Sequence, residues 1–488
     1  MQVLSTLLAV EKSDKLPVYL QIANQLTSLI KAGTLAPGFR LLSTRQLAAA
    51  LNVHRRTVVQ AYDELLAQGW LESHTGNGTF VANHLPEVGP VPMVPSGQAS
   101  DQTLKKAGFQ FERLVHLNRP VLKSGTRLHL DDGFPDPRLA PLEELSRAYR
   151  SQLLHGNPYM RLGYGDTKGA SWLRQELAIH LNETRGLKIS ADNILIVRGV
   201  IMGMHLASTA LLRPGDRVAV DSPGWFGANM NFVQAGAEVI NLPVDEHGLI
   251  IDELEKLCEK EPIRMLYVTS HHHYPTTVAL RADRRIRLLK LSEKYGFVIF
   301  EDDYDYDFHY LSKPLLPLAG ADQAGMVLYC GSFTKTISPA FRIGYLIGPE
   351  DFISQLALLR RIIDRQGDQM LENAMAELLQ TGVIQRHLRK SVRVYKQRRD
   401  FFCDLLKTKL EGKVNFHIPD GGMSVWTKFD DHIDLKKLAA NALKHDLYMA
   451  DGSLTQLADG SRNSVRLGFA SSTLEELEES VNIIKDLL

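Results

Sequence analysis

A short polar stretch, residues 331–335, carries the side chains with the clearest chemistry. Its lysine, Lys335, follows the hydroxyl residues Ser332 and Thr334, and Arg342 comes shortly after it. Two hydroxyls at that spacing can reach one small anion, and an arginine adds a forked, permanently charged donor. The combination suits a phosphate beside an amine. Pyridoxal phosphate needs this arrangement, because its aldehyde forms a Schiff base with a lysine while its phosphate is anchored separately. The alternative is an ordinary surface loop.

Carboxylates follow an apolar run upstream of this lysine. Residues 297–300 read as a buried strand, and Glu301, Asp302 and Asp303 come directly after it. Ligands of open α/β sheets bind at the carboxyl ends of strands, and a carboxylate there can keep a pyridine nitrogen protonated. A divalent metal is the alternative ligand, although it would need oxygen donors and no lysine downstream.

Residues 301–304 and 332–345 resemble the aspartate and lysine motifs of fold-type I, aminotransferase-like pyridoxal phosphate proteins. The resemblance implies an α/β fold for residues 127–488, with a large α/β/α domain and a smaller α+β C-terminal domain. It also implies that Lys335 is the Schiff-base lysine and that Asp302 pairs with the pyridinium. The phosphate ligands that it implies are Ser332, Thr334 and Arg342.

Further site residues come from the same resemblance. Gly199 follows a short apolar strand and begins a helix whose free amides can hold an anion. Trp225 follows a strand and a Pro-Gly turn, where an aromatic ring can stack on a flat cofactor, although a core position is the alternative. Tyr274 stands where many relatives have an asparagine that bonds the ring hydroxyl, so we expect Tyr304 to make that contact.

Two other groups of residues invite functional readings. Arg466 lies in a C-terminal strand, where the resemblance implies a carboxylate-binding arginine; a surface salt bridge is the alternative. His271, His272 and His273 suggest a metal, but successive residues of an extended chain point in opposite directions, so we expect no shared metal.

The N-terminal part has the pattern of three short helices followed by a hairpin. Residues 19–30 place their apolar side chains on one helical face, and residues 44–51 and 55–68 form two helices joined by a tight turn at Asn52. Residues 70–81 then read as two strands around a Gly-Asn-Gly turn. A helix-turn-helix with such a wing reads DNA.

Residues 17–81 resemble the winged-helix domain of GntR-family regulators, most closely over residues 41–59. His54 stands where a capping serine or threonine is usual, which predicts a weaker start for the recognition helix. We predict residues 1–81 to be the DNA-binding domain. The candidate contacts to double-stranded operator DNA are Arg45, Arg55, Arg56, Thr57 and Gly78, although exposed arginines are also common on solvated faces.

Residues 82–126 are rich in proline, glycine and serine, which predicts a linker between the two domains. The whole chain has 488 residues, with 56 basic and 56 acidic side chains, so net charge points neither to nucleic acid nor to membranes. Three distant cysteines fit a reducing compartment, and the first ten residues lack an export signal. We therefore expect a cytoplasmic protein without a membrane segment.

A winged helix linked to an aminotransferase-like domain resembles the MocR subfamily of GntR regulators. The resemblance implies a homodimer whose cofactor domain senses an amino-acid-like effector, or pyridoxal phosphate itself, and changes DNA binding. A working aminotransferase with a fused DNA-binding domain is the main alternative, because the lysine, aspartate and phosphate residues are all present. A scaffold without cofactor would not need Lys335, Asp302 and Arg342 together.

Overall fold

The computed structural model describes residues 7–14, 16–85, 107–117, 125–310, 315–453 and 463–488. Most of the predicted linker, and with it Pro86, Pro90, Pro92 and Pro95, lies outside these residues. The chain divides into two compact units, Met1–Arg113 and Leu114–Leu488. Among the described helices, none is long and apolar enough to cross a membrane.

The first unit contains three helices and a hairpin. Its elements are α1 (Val18–Lys31), α2 (Thr44–Ala50), α3 (Arg55–Ala67), β1 (Leu71–His74) and β2 (Gly78–Val81). Ser43 starts α2 with a capping box, in which Ser43 and Gln46 bond each other's backbone amides. Ile22, Leu26, Leu47 and Val58 belong to one core that all three helices share. The strands pair in antiparallel register, with Leu71 opposite Val81 and His74 opposite Gly78.

The second unit is built on an eight-stranded sheet with the order β4-β11-β10-β9-β8-β5-β6-β7. The strands are β4 (Ile194–Val197), β5 (Arg217–Ser222), β6 (Glu238–Asp245), β7 (Gly248–Leu249), β8 (Met265–Val268), β9 (Val298–Asp302), β10 (Val327–Ser332) and β11 (Gly344–Ile347). Strands β6, β5, β8, β9 and β10 are parallel, while β11 is antiparallel to both of its neighbours. Apolar runs such as Ile194–Val197 are buried throughout, as expected for strands covered on both faces.

Helices accompany these strands along the chain. They are α4 (Leu142–Leu154), α5 (Pro158–Leu162), α6 (Ser171–Arg185), α7 (Val200–Leu211), α8 (Phe226–Gln234), α9 (Ile251–Lys260), α10 (Ala282–Tyr295), α11 (Leu318–Ala321), α12 (Glu350–Arg361), α13 (Gln369–Gln380) and α14 (Val383–Lys409). Three of these helices, α12, α13 and α14, follow one another after β11. Gly382 in a left-handed conformation separates the last two.

A smaller α+β part completes the second unit. Strands β12 (Val414–Phe416), β13 (Ser424–Phe429) and β15 (Ser464–Gly468) form an antiparallel sheet. Strand β3 (Leu128–Leu130) pairs in parallel with β14 (Leu447–Met449), and the helices α15 (Leu435–Lys444) and α16 (Leu474–Leu487) pack beside them. The start of the second unit therefore reaches the C-terminal strands, and this brings residues 131–134 beside Arg466.

Candidate functional site: a cofactor cavity and a DNA-reading module

Asp302 ends strand β9 as a buried carboxylate that is only partly satisfied. Its Oδ2 accepts a hydrogen bond from the Tyr267 hydroxyl at 2.8 Å. Its Oδ1 is buried and has no hydrogen-bond partner among the described residues. Burial raises the pKa of Asp302 to about 7. A cationic ring nitrogen would give this oxygen the partner that the protein does not supply.

The acidic neighbours of Asp302 serve the structure instead. Glu301 accepts backbone hydrogen bonds from Leu318 and Ala319 at 2.9 and 3.0 Å and therefore caps helix α11. Asp303 accepts the Tyr329 hydroxyl at 2.6 Å. Because successive residues of a strand point to opposite sides, only one of these three carboxylates faces the cavity.

Lys335 reaches the same region from the end of β10. Strands β9 and β10 pair in parallel with Cys330 opposite Asp302, so the lysine segment begins beside that aspartate. The Lys335 ammonium donates to the Gly133 carbonyl at 2.8 Å and lies 4.6 Å from the centre of the Phe134 ring. Burial lowers the pKa of Lys335, which favours the neutral amine needed for attack on an aldehyde.

The predicted phosphate-binding residues Ser332, Thr334 and Arg342 lie around a turn. Ser332 Oγ accepts a hydrogen bond from the Thr334 amide at 3.0 Å. Arg342 has a left-handed backbone (φ 52°) and donates from Nη2 to the Arg198 carbonyl at 2.7 Å. Gly199 fits tightly here, since a Cβ on it would lie 2.9 Å from Arg342 Nη2. The Arg342 side chain and the turn at Arg198 and Gly199 therefore stabilise each other's position.

Trp225 lies at the start of α8, where its ring faces the cavity. Gly227 supports this position, because a Cβ there would come within 2.6 Å of the indole. The ring is only half-buried, so one face can accept a stacked aromatic group.

Arg466 is buried on β15 and engaged on several sides. Its Nε lies 3.0 Å from Asp132 Oδ1, and its Nη1 donates to the Tyr304 hydroxyl at 3.2 Å. The Tyr274 ring centre lies 4.8 Å from the guanidinium. The Tyr304 hydroxyl in turn donates to the His272 carbonyl at 2.8 Å. The predicted ring-hydroxyl ligand is therefore already bonded within the protein.

One cavity of about 810 Å³ connects these side chains. It brings together the sequence-predicted residues Trp225, Asp302, Tyr304, Ser332, Thr334, Lys335, Arg342 and Arg466. Gly199 adjoins it through Arg342, and Val200 and Ile201 also line it. Sequence reasoning did not identify Asp132 and Tyr267 as cavity residues, because their places in the cavity depend on contacts between distant segments.

The three consecutive histidines each lie beside a different aspartate. His271 Nδ1 lies 3.3 Å from Asp303, His272 Nδ1 lies 2.8 Å from Asp305, and His273 Nε2 lies 3.3 Å from Asp221. Each imidazole has its own aspartate in the core. Within the described parts of the chain, no three His, Cys, Asp or Glu side chains converge as metal ligands.

The first unit presents a separate candidate surface for DNA. Arg45 on α2 and Arg55 and Arg56 at the start of α3 are exposed, and Thr57 is partly buried. His54 begins α3 and accepts the Arg56 amide on its Nδ1 at 3.2 Å, so this histidine caps the helix although it is not a usual cap residue.

Arg40, which sequence reasoning missed, lies beside the hairpin. Gly78 opens β2 with φ 112°, and a Cβ there would lie 3.3 Å from Arg40 Nε. Arg40 bridges to Phe80 in the wing, and its guanidinium carbon lies 6.0 Å from the Phe80 ring centre. Because Arg40 is exposed beside the tip, it is a candidate phosphate contact.

Comparison with known families agrees with both parts of this architecture. Residues 135–484 match the model for aminotransferase class I and II, and residues 18–81 match that for bacterial regulatory proteins of the gntR family. The first match covers more than half of the chain, and the second covers the winged helix. The predicted fold class is therefore confirmed.

Relatives of similar length have the same organisation. The chain is 31% identical to the uncharacterized HTH-type transcriptional regulator YisV of Bacillus subtilis, covering 96% of this chain and 95% of that one. It is 27% identical to the probable rhizopine catabolism regulatory protein MocR of Rhizobium meliloti, covering 98% and 95%. A solved Pyrococcus horikoshii kynurenine aminotransferase, in complex with PMP, has a TM-score of 0.68 at 26% identity over 75% of this chain and 92% of that one. The chain belongs to the MocR-type transcription regulators, in which a GntR-family DNA-binding domain is fused to an aminotransferase class I and II domain.

Proposed function

We propose that this regulator binds pyridoxal 5′-phosphate in the second unit and senses there an amino-acid-like effector, or the cofactor itself. The observation that carries the proposal is the pairing of Lys335 with Asp302 in one cavity. Asp302 has a buried oxygen without a partner, and Lys335 is an amine whose pKa is lowered by burial. These two groups fit the two reactive ends of the pyridoxal ring.

The remaining cavity residues have matching roles in the proposal. Ser332, Thr334 and Arg342 hold the phosphate, with backbone amides after Gly199 as further donors. Trp225 packs on the ring face. When bound, the cofactor supplies an aldehyde that reacts with primary amines and a ring that withdraws electrons.

The ligand end of the cavity is served by Arg466 and Tyr304. A guanidinium on a buried strand can hold a carboxylate through two parallel hydrogen bonds. Tyr304 accepts a hydrogen bond from the guanidinium and lines the same cavity. An effector with both a carboxylate and an amine would place its carboxylate on Arg466 and its amine at the cofactor aldehyde, in place of Lys335.

We further propose a homodimer acting beside genomic DNA in the cytoplasm. The second unit exposes large apolar side chains in and near helix α5, including Tyr159, Met160 and Leu162, and another at Ile362. Apolar patches of this kind favour association, and a second copy of the chain would cover them. A dimer also suits a winged helix, since two copies can bind two half-sites.

The cofactor proposal is tested by visible absorption of the purified protein with pyridoxal phosphate. The wild type should acquire a visible band from a lysine-bound cofactor, and Lys335→Ala should lose it. Lys294→Ala removes an exposed lysine that does not line the cavity and should keep the band. A Lys335→Ala protein with the wild-type spectrum would end the assignment.

An active aminotransferase is the second candidate. It is favoured by the likeness to a kynurenine aminotransferase and by the intact set of Lys335, Asp302 and Arg342. The two candidates differ in whether ligand binding changes DNA affinity, so operator affinity measured beside 2-oxo acid release separates them.

A further inference from the structure

Asp132 is a charged cavity residue to which the proposed function gives no role. Its carboxylate lines the cavity and lies 3.0 Å from Arg466 Nε. The arginine expected to attract a ligand carboxylate therefore already has an anionic neighbour.

Hydrogen bonds of the preceding residue, Asp131, fix the loop around Asp132. Asp131 Oδ1 accepts the backbone amides of Gly133 and Phe134 at 3.0 and 2.9 Å. Asp131 Oδ2 accepts the Ser471 hydroxyl at 2.8 Å. Asp131 is buried and stabilises the turn, so the adjacent Asp132 is presented to the cavity from a fixed backbone.

Asp132 also lines the cavity together with Lys335. The carbonyl of the next residue, Gly133, accepts the Lys335 ammonium at 2.8 Å. Asp132 is the charged group that most opposes the lowering of the Lys335 pKa by burial. Its carboxylate therefore lies beside Arg466 and lines the same cavity as Lys335.

The charges of Arg466 and Asp132 affect which ligands bind favourably in the cavity. A carboxylate on Arg466 would lie within a few ångströms of the half-buried Asp132, and two like charges at that distance repel each other. A ligand that also carries an ammonium group compensates Asp132, so every charge then has a partner. A carboxylate without an amine leaves Asp132 facing a second anion.

We propose that Asp132 makes the cavity selective for zwitterionic amino acids over carboxylates that lack the amino group. The inference rests on the proposed function and narrows its ligand class. It also disfavours 2-oxo acids, the deaminated partners of amino acids, at the same arginine. A cavity with that bias suits a sensor of amino acids better than an enzyme that must bind both partners.

The test compares two matched ligand pairs on the cofactor-loaded full chain by calorimetry. The probes are L-phenylalanine with 3-phenylpropionate and L-leucine with 4-methylpentanoate, since the cavity wall includes apolar residues such as Leu443 and Met449. Asp132→Asn keeps the shape and removes the charge. The affinity of the carboxylate relative to its amino acid should rise by about tenfold or more, because the like-charge repulsion is gone.

Two further variants control for structure. Asp252→Asn removes another aspartate paired with an arginine, 2.8 Å from Arg287 and outside the cavity lining, and should leave the ratio unchanged. Asp132→Ser should repeat the Asp132→Asn result if charge rather than shape is responsible. An unchanged ratio in both Asp132 variants, or no carboxylate binding by either, overturns the inference.

Cofactor absorption and operator binding are recorded on the same preparations. A wild type that takes up no cofactor counts against the proposed function. The ligand ratio is then measured on the cofactor-free chain, where Asp132 and Arg466 still face each other. An unchanged ratio with normal cofactor uptake counts against the role of Asp132 alone.

Discussion

The Tyr267 hydroxyl donates to one oxygen of Asp302 at 2.8 Å and leaves the other oxygen buried without a hydrogen-bond partner in the described structure. Tyr267 therefore orients the carboxylate but does not neutralise it. The carboxylate keeps a pKa of about 7, raised mainly by burial. This pair links the stability of the cofactor-free protein to pH and gives a cationic ring a binding partner.

The first prediction concerns pH. The pKa of Asp302 is about 7 in the folded protein, against an ordinary value of 3.8. Between these values the folded protein keeps a proton that the unfolded chain has released, so stability falls as pH rises through that window. The loss has a ceiling of about 4 kcal/mol. Urea unfolding of the cofactor-free proteins measures the free energy of unfolding at each pH. The wild type should lose this stability as pH rises and Asp302→Asn should not. Parallel curves of unfolding free energy against pH for the two proteins would contradict the prediction.

The second prediction concerns cofactor affinity. Asp302→Asn should weaken pyridoxal phosphate binding, because it removes the counter-charge of a protonated ring nitrogen. We expect a loss of about tenfold or more, which corresponds to one pKa unit of lost interaction. Absorption titration with pyridoxal phosphate measures it. Equal affinity in the variant and the wild type would remove Asp302 from the cofactor site.

The third prediction concerns Arg466. Arg466→Ala should weaken an amino-acid ligand by about 10- to 100-fold, since a hydrogen bond to a charged group contributes about 1.5–3 kcal/mol. Cofactor absorption and ligand-free operator binding should stay as in the wild type. Calorimetry with L-phenylalanine measures the loss, and Arg466→Lys tests whether charge alone restores affinity. If Arg466→Ala binds the ligand normally, the carboxylate is held elsewhere.

The fourth prediction concerns DNA. Single alanine variants of Arg45, Arg55 and Arg56 should each lower the slope of log affinity against log salt by about 0.9 if the side chain binds a phosphate. A side chain that reads a guanine should instead cost about 1–3 kcal/mol of sequence discrimination. Lys294→Ala, in the second unit, should change neither. Full operator affinity in the triple alanine variant would contradict the assignment.

The sequence predicted the elements of the site better than their mutual contacts. The strand before Glu301, the lysine segment and the C-terminal strand of Arg466 were recognisable because their apolar runs and polar ends are local features. The pairing of Cys330 with Asp302 joins distant segments, so only the parallel register of β9 and β10 brings Lys335 to the aspartate. The roles of single residues remain predictions that the variants above test.

Other features depended on tertiary contacts that no local pattern contains. The aspartate partners of the three histidines come from separate strands and loops, so the sequence did not identify Asp221 or Asp305 as their partners. Sequence reasoning did not identify Asp132 as a cavity residue, because its partner Arg466 lies in the last strand, far away along the chain. Arg40 was missed because its position follows from the fold of the wing.

The most direct test of the account measures operator affinity with and without a panel of amino acids, on the cofactor-loaded protein, while 2-oxo acid release is followed in the same samples. The account predicts that at least one amino acid changes operator affinity with little multiple turnover. Linkage then requires operator DNA to change the affinity for that amino acid by the same factor. Sustained turnover of about 1 per second or more, with operator affinity indifferent to every reacting amino acid, would contradict the account and identify the protein as an aminotransferase.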